Sequence, residues 1–458
     1  MAFLSTERTP GIKLAFAILI AGLLAIPLFT VYLLVYDRES QSQTAVSSIA
    51  QGWGGPQTIA GPLLVIPYQT DATESVTEGG RQVTRVNRVW GELELAPEIV
   101  ELSSSLRPER RKRSIYEVVV YSARTEGRAR FRMPADLARY GVAPGALALD
   151  RAELRFGLSD AKGLYGAPPS VRVDGRTLAL QPGKGPGETN GSGFHAPLDA
   201  AGITGRPLLA AFAFDFRGHG WLTLSPRAGD TRWQVTGYWP HPSFQGGFLP
   251  TRSQVGDGFT ANYRIGNLAL GRALVEIGGG QSTAAAPVAR DNLTAPAGIN
   301  DARIQLITPV DLYAQVNRSV KYGFLFIGFT FIAFLLFDVV AGVRVSAVEY
   351  LLVGAGLVLF FVMLLAFAEV IGFTPAYVLA SAMIIGQLTA YSAAILRSRR
   401  RASVVAGLLV ALYGVLYALL SLEAYSLLIG SLLLFAALAA VMYLTRNLEW
   451  GTAAEASR

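Results

Sequence analysis

LAFAILIAGLLAIPLFTVYLLVY, running from Leu14 to Tyr36, contains no charged residue. A bilayer core is about 30 Å thick and takes roughly 20 apolar residues as a helix, so this stretch is long enough to cross it. A cleaved signal peptide has a shorter apolar core, about 7–15 residues, followed by a small-residue cleavage site. No A-x-A pattern follows here, and the stretch reads as an uncleaved anchor. Pro27 is tolerable inside it, because neighbouring groups in a bundle re-satisfy the freed carbonyl.

Nothing comparable recurs until residue 322. Five apolar spans then crowd together: Tyr322–Val340, Val348–Ala368, Thr374–Leu396, Ala402–Leu422 and Ala424–Leu444. Their short connections predict antiparallel neighbours in one bundle. Composition agrees, since the 458 residues are 51% hydrophobic and only 16% charged. Soluble chains are about a quarter charged, so an ordinary cytosolic enzyme is excluded. The absence of cysteine excludes disulfides, thiolate metal sites and cysteine nucleophiles. The net charge of +7 is mild for this length, and no stretch reads as a nucleic-acid-binding face.

Orientation follows from Lys and Arg in the short loops. Arg8 and Lys13 precede the first span, Arg344 follows the second, Arg397 and Arg399–Arg401 follow the fourth, and Arg446 follows the sixth. The opposite connections hold Glu369 and Glu423 with no Lys or Arg. Six spans with both termini (1–13 and 446–458) in the cytoplasm fit every loop. Residues 37–320 then lie outside the cytoplasm, ahead of a five-helix bundle over 321–445.

That outer segment is mostly strand-like. Ser114–Tyr121 is a β-branched run and Leu208–Phe216 an aromatic one. Asp174-Gly175, between short strands in Val171–Leu178, is a strong hairpin cue. Trp221–Leu224 and Thr231–Thr236 flank Pro226-Arg-Ala-Gly229, which reads as a turn. Met133–Tyr140 is the best short helix, and Gln181–Gly193 a long loop of the kind often functional or disordered. The expected fold class is a membrane protein with six transmembrane helices, one N-terminal and five C-terminal. Its large β-rich, sandwich-like domain is inserted after the first helix.

Catalytic signatures are missing: there is no H-E-x-x-H, Walker loop, Rossmann fingerprint or EF-hand. No catalytic residue, cofactor or metal is assigned. Gly157-Leu-Ser-Asp-Ala161 resembles a nucleophile elbow, but Ala161 replaces its last glycine, so Ser159 reads as a strand-end turn. His195, His219 and His241 have no metal-ligand spacing. The most unusual block is Gly237-Tyr-Trp-Pro-His-Pro-Ser-Phe-Gln-Gly-Gly-Phe-Leu-Pro250. Its prolines stiffen the chain, and Trp239, His241, Phe244 and Phe248 are the candidate ligand-binding residues. The same block also reads as a structural corner of the β core.

Ionisable residues within spans are functional candidates by default. Asp338, Arg344, Glu349, Glu369 and Glu423 all fall at span ends, which makes them membrane-boundary charges and weakens a transporter reading. Val310, Tyr313, Val316 and Val320 recur at spacings of three and four, predicting a helix that leads into the second span.

Several segments together resemble the CreD family. They are Trp53-Gly-Gly-Pro-Gln-Thr-Ile-Ala-Gly-Pro62, Leu158-Ser-Asp-Ala-Lys-Gly-Leu164, Trp239-Pro-His-Pro-Ser-Phe244, Phe248-Leu-Pro250, Pro309-Val-Asp-Leu-Tyr313, Lys321-Tyr-Gly-Phe-Leu-Phe-Ile327 and Tyr443-Leu-Thr-Arg446. The resemblance implies a bacterial inner membrane, a periplasmic 37–320 segment and expression under the CreBC two-component system. It also implies a role in envelope stress or antibiotic response. It carries over no catalytic residue, and the sequons at Asn190, Asn292 and Asn317 lose their meaning in that compartment. The expected partners are the bilayer and an envelope lipid, glycan or protein. A lipid- or glycan-modifying enzyme is the alternative.

Overall fold

The computed structural model describes residues 10–78, 81–113, 116–277, 300–307, 312–340, 346–396, 399–421 and 426–446. Two units emerge: residues 44–309 form one, and residues 1–43 with 310–458 form the other.

The first unit is built from two β-sheets. One contains β1 (Gln57–Glu78), β2 (Arg81–Leu95), β5 (Ala152–Leu158), β8 (Gln181–Pro182) and β9 (Gly193–Leu198). It is completed by β11 (Trp221–Ser225), β13 (Pro242–Gly246), β16 (Val275–Ile277) and β17 (Ala302–Leu306). Their order is β13-β17-β11-β1-β5-β9-β8, with β2 paired to both β1 and β16. The other sheet is formed by β3 (Ile99–Arg113), β4 (Tyr116–Phe131), β6 (Ser170–Val173), β7 (Arg176–Thr177), β10 (Leu208–His219), β12 (Asp230–Gly237), β14 (Arg252–Val255) and β15 (Phe259–Gly266). These run in the order β14-β15-β12-β3-β4-β10-β6-β7. A four-residue helix, α2 (Asn267–Leu270), follows β15.

The reason for two facing sheets is legible strand by strand. Along β10, Leu208, Ala210, Phe212, Phe214 and Phe216 are buried while alternate residues look outward, the period-two pattern of a half-buried strand. β15 does the same with Phe259, Ala261, Tyr263 and Ile265. Phe156 and Phe194 of the first sheet stack at 5.1 Å, and Phe156 meets Phe212 of the second edge-on at 5.1 Å. Tyr121 of β4 crosses the same core and donates its hydroxyl to the Trp221 carbonyl of β11 at 2.9 Å. The β-sandwich thus has one continuous interior.

Local expectations fared unevenly. Asp174 and Gly175 both sit at positive φ, 48° and 82°, and join β6 to β7, as a two-residue hairpin requires. Met133–Tyr140 does not form the expected helix, and only Ala138–Tyr140 makes a 3-10 turn. Met133, Leu137 and Val142 dock against the core instead, and eight residues are too few to hold a helix without tertiary support. Pro226–Gly229 is more than a local turn: it carries the chain from β11 in one sheet to β12 in the other. Gln181–Gly193 is folded back on itself by backbone bonds from Gly183 to Gly193 and from Gly185 to Gly191, both 2.9 Å.

In the second unit, α1 (Pro10–Trp53) includes the charge-free stretch and runs on through polar residues, its last ten belonging to the sandwich unit. Glu39, Gln41, Gln43, Ala45 and Ala50 favour helix, and Gly54-Gly55-Pro56 ends it. α3 (Leu312–Lys321) buries Tyr313, Val316 and Val320 on one face, as its spacing predicts; Val310 lies outside the described residues. Then come α4 (Gly323–Val340), α5 (Ala347–Ile371), α6 (Phe373–Leu396), α7 (Arg399–Ser421) and α8 (Ser426–Thr445). Among the described residues, four helices are long and apolar enough to cross a membrane: α1, α5, α6 and α7. α5 packs on α6 and α6 on α7, with Phe360, Tyr377 and Tyr413 interlocked between them.

Candidate functional site

The two segments Trp53–Pro62 and Leu158–Leu164, about a hundred residues apart, meet at one end of the sandwich. Gln57, fully buried at the start of β1, is the pivot. Its amide nitrogen donates to the carbonyls of Asp160 (3.1 Å) and Arg217 (2.8 Å). Its amide oxygen accepts from the Asp160 backbone (3.2 Å) and the Ser159 hydroxyl (3.4 Å). Ser159 also donates to the Pro56 carbonyl at 3.0 Å and accepts from the Thr58 N–H at 2.9 Å. Asp160 accepts from the Gly55 and Lys162 N–H groups at 3.0 and 3.1 Å. The serine therefore ties two distant chain segments together, whereas the local bond expected of a turn is made by Asp160, to Lys162 N–H. Gly163 is required here: a Cβ would lie 2.5 Å from the Gln57 amide nitrogen and 2.6 Å from the Arg217 carbonyl oxygen.

Beside this knot Trp53 ends α1. Its indole N–H donates to the Tyr121 carbonyl at 3.4 Å. The guanidinium of Arg111 lies 3.6 Å from its ring centre and that of Arg217 4.1 Å. Two guanidiniums that close to one centroid occupy opposite faces. Arg217 also lies 4.4 Å from the Tyr165 ring centre. His219, two residues on, is buried, and burial pushes its imidazole down to about 4, so it is neutral at physiological pH. Burial likewise holds the Tyr121 phenol well above its ordinary range, keeping it a donor.

The 237–250 block divides into anchors and an exposed edge. Trp239 is buried, donates its indole N–H to the Ile307 carbonyl at 3.0 Å and lies under Arg110 at 5.5 Å. Phe244, on β13, packs half-buried against the core and meets Phe259 edge-on at 6.2 Å. Phe248 is half-buried too, and its N–H donates to the Asp301 carbonyl at 3.1 Å. His241 is exposed, with its carbonyl accepting from Ile307 N–H. Tyr238, 77% exposed, faces solvent beside a groove of about 570 Å³ whose lining includes Arg107, Thr236, Gln254 and Val255. The basic run Arg107–Arg113 on β3 thus reaches the groove, Trp239 and Trp53 in turn.

The other two histidines are on other strands. His195 is buried on β9, its Nδ1 3.1 Å from the Gly183 carbonyl, and His219 is on β10 of the other sheet. Among the described residues no three His, Cys, Asp or Glu side chains gather as metal ligands.

The reading by sequence missed the buried charge cluster under Pro226–Gly229. Arg227, its side chain 5% exposed, lies 3.0 Å from Glu94, 2.8 Å from Glu276 and 3.7 Å from Glu188. Arg272 adds a contact to Glu188 at 2.7 Å. The long Gln181–Gly193 loop supplies Glu188 to this cluster.

In the helical unit, Glu369 accepts from the Tyr313 hydroxyl at 3.2 Å and lies 4.0 Å from Arg38. Glu349 closes a capping box with Ser346 at the start of α5, which satisfies two helix-end donors. Asp338 falls on α4, and Arg344 and Glu423 lie outside the described residues.

The family model described as "Inner membrane protein CreD" matches residues 9–451. Inner membrane protein CreD of Escherichia coli (strain K12) is 31% identical over 439 residues, covering 93% of this chain and 91% of that protein.

Proposed function

The chain belongs to the CreD family of inner membrane proteins, and on that premise we propose that it is a non-enzymatic envelope protein whose β domain binds an envelope component. In this reading α4 and α8 complete a set of six spans, both termini are cytoplasmic, and residues 37–320 are periplasmic. The distribution of Lys and Arg among the loops supports it. The lack of cysteine makes the test direct. In spheroplasts, Ser253→Cys should react with an impermeant maleimide, whereas Arg400→Cys should react only after permeabilisation. The reverse pattern overturns the orientation.

The observation that carries the binding reading is the contrast inside the 237–250 block. Trp239, Phe244 and Phe248 hold the loop from below, while Tyr238 stands in solvent beside the groove and His241 is exposed three residues on. Preorganised aromatic surface of this kind loses little side-chain entropy on binding. Arg107 and Tyr238 together suit a glycan carrying acidic groups. Full-length protein in micelles should bind purified peptidoglycan sacculi, and Tyr238→Ala should weaken that binding about tenfold, a loss of roughly 1.4 kcal/mol. Unchanged binding by Tyr238→Ala and His241→Ala, with the fold intact, removes this face from the proposal.

A further inference from the structure

Gln387 is an amide near the middle of α6 that the packing of the bundle leaves outside. α6 is long and apolar enough to cross a membrane. One face of it, with Tyr377, Ala380, Ile384 and Leu388, is buried where the helix packs against α5 and α7. Gln387 is exposed on another face. Along the axis it lies about 21 Å from Phe373 and about 14 Å from Leu396, at 1.5 Å per residue. In a hydrocarbon core about 30 Å thick, that is close to the midplane. Among the described residues no hydrogen bond reaches its amide. Lipid tails offer neither donor nor acceptor, so an amide facing them at this depth is costly.

Its surroundings say what kind of partner fits. Met383, Gln387, Ala390 and Ala394 are all exposed and recur at spacings of four, three and four. That is the seam of two helices crossing at a shallow angle. Ala390 and Ala394 end at Cβ, which lets a second backbone approach closely. α6 has no charged residue, so the face offers nothing to an ionic partner. An amide holds both donor and acceptor and is therefore its own complement. Copies of one membrane protein share one orientation, so a two-fold axis between them runs along the membrane normal. Such an axis brings identical residues together at identical depth. Each amide N–H can then donate to the other amide oxygen.

We propose that this face of α6 joins two copies of the chain in a symmetric dimer, with Gln387 hydrogen-bonded to Gln387 of the partner subunit. The dimer contact does not depend on ligand binding in the β domain.

Because the chain has no cysteine, single cysteines report the contact directly. In native membranes treated with copper phenanthroline, Ala390→Cys should give a disulfide-linked dimer of the chain. Val378→Cys, exposed on the side of the helix opposite Gln387, should not. Full-length protein labelled at Ser253→Cys, diluted into liposomes and counted by single-molecule photobleaching, gives the association constant. Gln387→Leu should lower that constant about three- to tenfold, and Gln387→Asn, which keeps an amide, should lower it less. Should Gln387→Leu misfold, the two cysteine positions and the dilution series of the otherwise unchanged chain still decide. Absence of an Ala390→Cys dimer, equal cross-linking of Val378→Cys, a chain that stays monomeric at every dilution, or full dimerisation of folded Gln387→Leu overturns the proposal.

Discussion

Arg227→Ala is expected to cost the β domain about 3–5 kcal/mol at neutral pH, the usual penalty for stranding buried charges by removing one partner. The wild-type side chain faces Glu94, Glu188 and Glu276, and only Arg272 would remain, near two of them. The pH dependence separates this cause from lost packing. Burial alone would raise the Glu188 carboxyl, but Arg227 and Arg272 outweigh it and hold it below the ordinary carboxylate range. A depressed carboxyl contributes stability that is complete above its unfolded value, about 4.3, and is lost as pH falls through the folded value. In the variant, burial acts on Glu188 against fewer cations, so this carboxylate takes up its proton at higher pH and relieves part of the penalty. The gap between wild type and variant should therefore narrow as pH falls from about 7 to about 5. Denaturant unfolding of the full chain, followed by tryptophan emission, measures it. Arg227→Met, which keeps an apolar stem, should show the same narrowing. A gap independent of pH would mean that the loss is one of packing.

This cluster also marks where reading by sequence stops. Pro226-Arg-Ala-Gly229 has the composition of a surface turn, and nothing local says that the chain there passes between sheets and buries its arginine. Glu94 is 133 residues away, so no window holds both partners. Apolar runs without charge are legible because a bilayer tests only length and polarity, and the helices fall where those runs do. The extension of α1 from Asp37 to Trp53 carries no such signal, being polar and of mixed period. At the aromatic block the residue types pointed to a special place but not to its sides. Trp239 was the natural candidate for ligand contact, yet it is a buried anchor, while its neighbour Tyr238 is 77% exposed. The two lie in the bend between β12 and β13, where no period fixes which side chain turns inward, and composition alone cannot say which one meets solvent. Gln57 was passed over for a similar reason: a glutamine beside Gly-Gly-Pro suggests a loop, and its partners Ser159, Asp160 and Arg217 lie 102 to 160 residues away.

Gln57→Glu is the second large effect, and its sign with pH is opposite to that expected of an acid in an ion pair. The native amide donates to two carbonyls and accepts from a backbone N–H and the Ser159 hydroxyl, all in a fully buried setting. An ionised carboxylate there donates nothing and turns negative charge toward the oxygens of Asp160 and Arg217. The protonated acid still donates to one of them. Both burial and the facing carbonyls favour the neutral form, so the folded pKa of the introduced carboxyl rises above its unfolded value of about 4.3. Stability is then complete below the unfolded value and drops as pH rises toward the folded one, by about 1.4 kcal/mol per pH unit in between. Between pH about 5 and about 7 the variant should lose roughly 2–3 kcal/mol that wild type retains. Gln57→Met removes donor and acceptor alike and should lose a pH-independent amount, on the order of 1–3 kcal/mol for each polar group left unmade. Unfolding midpoints of the two variants across that range decide the matter. Parallel curves would mean that the Gln57 amide nitrogen is not the donor that joins Asp160 to Arg217, and that the hold on the two family segments lies with Ser159 and Gly163 instead.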